Sequence, residues 1–152
     1  MKIQYRKGNL FETDILHIAH GCNAQGVMGS GVARIVRDDH FEAYRFYVEQ
    51  YGLHGLKLGD VQFVPSNGKV IVNAITQHLY GRDGRRFVNY EAVADCMRTI
   101  NSVLRQSGET QVAMPQIGAG LGGGNWNIIS QIIEDEMTDV EPVVYGLRLP
   151  PL

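Results

Sequence analysis

The stretch Met114-Pro-Gln-Ile-Gly-Ala-Gly-Leu-Gly-Gly-Gly-Asn-Trp126 constrains this chain more than any other. A short apolar strand over residues 111–117 runs into five glycines within seven residues: Gly118, Gly120, Gly122, Gly123 and Gly124. Glycine is costly to order, so such a cluster needs a physical reason. Without Cβ atoms the backbone can approach an anion closely and turn successive N–H groups toward it. The helix that follows adds its own unsatisfied N–H groups and the positive end of its dipole. A flexible surface loop is the bland reading of the same residues.

A second segment of the same kind tips the balance. Residues 15–20 form a short apolar run of the type expected for a strand buried on both faces. It leads into Gly21-Cys-Asn-Ala-Gln-Gly-Val-Met-Gly-Ser-Gly31, where Ser30 can cap a helix carrying Val32, Ile35 and Val36. Two strand–glycine loop–helix units in one small chain predict two sides of a cleft around a polyphosphate. Neither loop has the Gly-Lys-Ser/Thr ending of a P-loop, and neither completes a dinucleotide-binding fingerprint. A neutral-to-acidic chain suits a ligand held mainly by main-chain N–H groups. Net charge is −2, and no Lys/Arg-rich run marks a nucleic-acid or membrane surface.

The remaining pattern alternates strands and helices. A strand is expected over residues 2–6, ended by Gly8. A helix carries Tyr44, Tyr47, Val48 and Tyr51, with Gly52 as its stop. Residues 60–65 and 69–76 read as strands joined by a Ser66-Asn67-Gly68 turn. Asn89 caps a helix with Tyr90, Val93, Met97, Ile100 and Leu104 on one stripe, ended by Gly108. Trp126, Ile129, Ile132 and Ile133 mark another helix, and residues 142–149 a last strand. This order predicts an α/β sandwich with a mixed, largely parallel sheet, and both glycine loops lie where such sheets take ligands. With 44% hydrophobic and 20% charged residues, the expectation is a single globular domain over residues 1–152. No apolar leader or membrane-length run is seen, and Cys22 and Cys96 lack metal-type spacing. A soluble cytoplasmic protein with no membrane partner, no metal and no cofactor is therefore expected.

Four motifs in order, Lys7-Gly-Asn-Leu-Phe11, His20-Gly-Cys-Asn23, Gly26-Val-Met-Gly-Ser-Gly-Val-Ala33 and Pro115-Gln-Ile-Gly-Ala-Gly-Leu-Gly-Gly-Gly-Asn-Trp126, resemble the macro domain family along nearly the whole chain. The resemblance implies a three-layer α/β/α sandwich that binds ADP-ribose. It implies Asn9 and Leu10 at the adenine and Asn23 at the distal ribose. Gly29, Ser30, Gly31 and Val32 would then wrap the diphosphate and distal ribose from one side. Ile117, Gly118, Ala119, Gly120, Leu121, Gly122 and Gly123 would cradle the phosphates from the other. Asn9 departs from the aspartate common at its position, giving the adenine amino group an acceptor without charge. Two branches look similar. One is the fungal-type ADP-ribose-1″-phosphate phosphatases. The other is the hydrolases that remove ADP-ribose from protein carboxylates or DNA bases. Those hydrolases use a lysine directly after an Ile-Thr pair, where this chain reads Ile75-Thr-Gln-His78.

The phosphatase branch implies a catalytic histidine at His20, acting as acid, base or nucleophile; a core histidine is the plainer role. His17, three residues earlier on the strand, points to the opposite face. Asp83 in Gly81-Arg-Asp-Gly84 stands for two roles, orienting His20 or protonating a leaving sugar oxygen, or simply forming the turn. His78 is a further acid–base candidate. Arg82, Arg85 and Arg86 read as mostly solvated, Tyr90, Trp126 and Tyr145 as packing, and Cys22 as a small buried residue. ADP-ribose-1″-phosphate is the expected substrate and ADP-ribose the expected ligand. Nucleic acid is expected only as a modified substrate. An ADP-ribosyl hydrolase and a non-catalytic ADP-ribose reader are the two other readings.

Overall fold

The computed structural model describes residues 1–81 and 83–146. Six strands form one sheet: β1 (Gln4–Lys7), β2 (His17–Asn23), β3 (Val61–Ser66), β4 (Lys69–Gln77), β5 (Gln111–Met114) and β6 (Glu141–Gly146). Their order is β1-β6-β5-β2-β4-β3, with β3 antiparallel to β4 and all other pairings parallel. The helices are α1 (Gly31–Asp39), α2 (Phe41–His54), α3 (Tyr90–Gln106) and α4 (Trp126–Glu136). The result is the three-layer α/β/α sandwich that the resemblance implies, with the mixed, largely parallel sheet that the residue pattern predicts.

Side-chain alternation along each strand produces the layers. In β2, Ile18 joins the core under α1 and α2, while its neighbour Ala19 joins the core under α3 and α4. The pairs Ile71/Val72, Ala113/Val112 and Val143/Val144 divide in the same way. A strand buried on both faces therefore reads as a continuous apolar run rather than an alternating one. The α3 stripe of Val93, Met97, Ile100 and Leu104 is fully buried against its layer. Asn89 caps α3 by accepting from Ala92 N at 2.9 Å, so that end of the helix lies where the sequence sets it.

Several boundaries differ from the sequence expectation. Strand β2 continues through Gly21, Cys22 and Asn23 and pairs with β4 to Gln77, so the first glycine loop begins later than its composition suggests. Helix α2 passes through Gly52 and stops at Gly55, which has φ +77°. An exposed helical glycine costs only about 1 kcal/mol, and the rest of α2 outweighs it. In α1 only Val36 is buried, and Ile35 stays exposed. Ser30 occupies the N-cap position of α1, but its side chain makes no capping bond to the helix. Of the expected last strand, residues 147–149 lie outside the described residues, as does Arg82. Among the described residues, no helix is long and apolar enough to cross a membrane.

Candidate functional site

The carboxyl ends of β2, β4 and β5 open into a cavity of about 640 Å³, within the size range of small-ligand sites. Its walls come from three segments: residues 20–23 with the first glycine loop and the start of α1, residues 76–81, and residues 115–122. Among the described lining residues, none is Asp, Glu, Lys or Arg. What these residues offer an anion is dipoles and hydrogen-bond donors.

Those donors are in place. In the second glycine loop, Ile117, Ala119, Gly123 and Gly124 spend their N–H groups on Pro115, Gln116, Gly120 and Gly118 carbonyls. Among the described residues no acceptor takes the N–H of Gly118, Gly120, Leu121 or Gly122, and all four line the cavity. Opposite them, Gly31, Val32 and Ala33 form the first turn of α1 and also line it. A first helical turn has N–H groups with no partner inside the helix, and the dipole there favours negative charge.

Close packing leaves no room for a Cβ at most glycines of the second loop. A Cβ on Gly118 would meet Val88 Cγ2 at 2.7 Å, one on Gly124 Val88 Cγ1 at 2.5 Å, and one on Gly123 the Arg85 carbonyl oxygen. The segment around residues 85–88 is clamped to the loop, with Phe87 N and Val88 N donating to Gly122 O at 2.7 and 3.0 Å. Gly120 has open space around it. The glycines thus set the backbone path, and that path aims the free N–H groups.

The first loop is braced by Asn23. Its Nδ2 donates to Val27 O at 2.7 Å, and its Oδ1 accepts from Gln25 N, Val27 N and the Tyr47 hydroxyl. The Tyr47 hydroxyl also reaches Asn23 O. Tyr47 is fully buried in α2, and burial raises its phenol far above the ordinary value, so it stays a neutral donor. Asn23 lines the cavity, and its amide is already occupied in shaping the loop. Tyr47→Phe removes the hydroxyl that donates to Asn23, with an expected loss of about 1–2 kcal/mol in urea unfolding. An unchanged midpoint would show that the brace does not need the hydroxyl.

His20 lies on the cavity floor, 1% exposed, with Nε2 2.7 Å from Asn73 Oδ1. Burial pushes its imidazole from 6.5 down to about 4; the Asn73 hydrogen bond works in the opposite direction, and the nearby His40 lowers it further. At neutral pH His20 is therefore an uncharged base. Cys22 Sγ lies 3.6 Å from Nε2, but burial raises this thiol well above its usual range, so it supplies no thiolate. Thr76 Oγ1 is also buried in the cavity wall and has no partner among the described residues.

The cavity brings together His20, Asn23, Gly29, Ser30, Gly31, Val32, Ile117, Gly118, Gly120, Leu121 and Gly122. It does not include Ala119 or Gly123, whose N–H groups are used inside the loop. Asn9 and Leu10 also fall outside its lining. Asn9 Oδ1 caps a short 3-10 turn by accepting from Phe11 N, and Leu10 is buried beneath α1 and α2. Asp83 is exposed in its turn, accepting from Arg85 N at 3.2 Å and pairing with the Arg85 guanidinium. Arg85 and Arg86 lie over the rings of Phe87 and Tyr90, and His78 is exposed outside the lining. Sequence reasoning missed Gln77, Tyr80 and Gly81 as lining residues. It also missed Asn73, although a polar residue inside the apolar run of β4 was a visible sign of a buried partner.

Comparison with known proteins agrees with this geometry. The Macro domain family model matches residues 19–133. A human relative named ADP-ribose glycohydrolase OARD1 is 29% identical over 96% of this chain and 92% of its own length. A Candida albicans relative named ADP-ribose 1″-phosphate phosphatase is 24% identical, covering 88% and 92%. Among solved structures, a Bacteroides thetaiotaomicron protein described as of unknown function superposes with a TM-score of 0.85 at 30% identity, covering 95% of this chain and 98% of that one. The family model takes in the first glycine loop, the cavity floor and the second glycine loop, and this chain belongs to the macro domain family.

Proposed function

We propose that this chain binds ADP-ribose and removes the terminal phosphate from ADP-ribose-1″-phosphate. The observation that carries the reading is the pairing of two opposed sets of main-chain donors with one neutral imidazole on the floor of a cavity whose described lining holds no Asp, Glu, Lys or Arg. The donors of residues 118–122 and of the first turn of α1 suit the two sides of a diphosphate. His20, uncharged at neutral pH, takes a proton from water. The water oxygen bonds to phosphorus, the bond from phosphorus to the ribose oxygen breaks, and that oxygen recovers the proton from the imidazolium. Positioning and preorganised N–H groups supply most of the acceleration. Asp83, held by Arg85 outside the cavity lining, takes no part in this scheme. The Candida albicans relative's name supports the same chemistry.

Removal of ADP-ribose from a modified macromolecule is the second reading, favoured by the human relative's name. Against it, Gln77 stands where the resemblance places the lysine of the similar hydrolases.

Phosphorus NMR of ADP-ribose-1″-phosphate with the wild-type protein and a His20→Gln variant tests the proposal. A glutamine amide can still donate to Asn73 but cannot act as the base. Phosphate release should fall by roughly 10²–10⁴-fold while ADP-ribose binding survives. Turnover equal to wild type in the variant would remove His20 from the chemistry. Binding without turnover by the wild type would leave a reader, and release of ADP-ribose from a modified protein would favour the hydrolase.

A further inference from the structure

Three polar side chains form a hydrogen-bonded row across neighbouring strands beneath the cavity. His20 of β2 stands opposite Asn73 of β4, and Asn73 stands opposite Gln62 of β3. His20 Nε2 lies 2.7 Å from Asn73 Oδ1, and Asn73 Nδ2 lies 3.1 Å from Gln62 Oε1 and 3.1 Å from Ala43 O. Asn73 and His20 are buried, and Gln62 is nearly so.

The row has a fixed polarity because one member cannot turn. Ala43 O is a main-chain carbonyl of α2 and can only accept, so the atom of Asn73 facing it must be the amide nitrogen. Asn73 Oδ1 then faces His20 as an acceptor, and the ring nitrogen it meets must carry the hydrogen. A flipped Asn73 would set two oxygens against each other at Ala43. A neutral imidazole protonated on Nε2 keeps its lone pair on Nδ1.

We propose that Asn73 is a positioning residue that holds His20 as the Nε2–H tautomer, so that Nδ1 is the atom that takes the proton from water. The catalytic part rests on the phosphatase reading above; the tautomer does not. A carbonyl of α2 thereby dictates, through one amide, the reactive edge of a histidine two strands from the sheet edge.

Nitrogen-15 NMR of the His20 ring in the wild-type protein at pH 7 should show the Nε2–H tautomer. An Nδ1–H ring or an imidazolium would overturn the proposal, whatever the variants do. Asn73→Leu removes the acceptor, and the ring signals should move toward a mixture of tautomers. The kcat for phosphate release should then fall roughly tenfold with KM nearly unchanged. An unchanged tautomer in a folded Asn73→Leu protein would overturn the positioning role, as would an unchanged kcat. Absence of phosphate release by the wild type would remove the phosphatase reading alone, leaving the ring spectrum to decide this one.

Discussion

Gly123→Ala will destabilise the fold by roughly 3 kcal/mol and abolish ligand binding with it, whereas Gly120→Ala will weaken binding alone. Gly123 has φ +71°, where a side chain is strained, and its added Cβ would enter the Arg85 carbonyl and come within 3.0 Å of Arg86 Cα. Both are main-chain atoms, so relief requires moving the segment that donates Phe87 and Val88 N–H to Gly122 O. Gly120 lines the cavity with nothing within 4 Å of the new Cβ. Its substitution costs no packing but places a methyl group among the free N–H groups, raising the ADP-ribose dissociation constant on the order of tenfold. Chemical denaturation and calorimetric titration of the two variants separate the effects. Equal stability of Gly123→Ala and wild type would mean that the clamp does not set the loop.

The folded state will lose about 3 kcal/mol of stability as pH falls from 6.5 toward 4, through His20 alone. The imidazole is depressed in the folded chain to about 4 from 6.5. Between those values the unfolded chain binds a proton that the folded chain refuses, so stability rises with pH across the window. It is complete above 6.5 and drains away toward pH 4, where the folded imidazole also protonates. His17, lowered mainly by burial, acts in the same direction. Urea unfolding at pH 7, 5.5 and 4.5 should show a steep decline for wild type and a shallower one for His20→Gln. Parallel declines would place the acid sensitivity elsewhere.

The sandwich was legible because its signals are local. Apolar runs at β2 and β4, the α3 stripe and the Asn89 cap each follow from residue chemistry within a few positions. The two glycine loops were legible as a site for the same reason. What remained hidden is which group each side chain meets. Nothing near Asn9 announces that its side chain is spent on a cap, and nothing near Asp83 reveals its pairing with Arg85 within the turn. The glycines of residues 118–124 were read as ligand cradles, and the structure adds a packing reason: the 85–88 segment presses on Gly118, Gly123 and Gly124. Composition shows that a loop must lack side chains; it does not show which neighbour demands it. Asn73 was similarly a visible anomaly whose meaning waited on the strand register.

The four second-loop N–H groups that no described acceptor takes belong to the main chain, and every amino acid but proline supplies one. Leu121 could become another residue without removing its N–H, because its side chain is half exposed and outside the buried core. The cavity is therefore inherited as a backbone trajectory, held by a few tight contacts, rather than as a set of functional groups. Such a site can pass through long divergence with most of its letters replaced. That durability has a converse: relatives at 24–30% identity can share the pocket while differing in the one or two side chains that decide what happens to the molecule inside it.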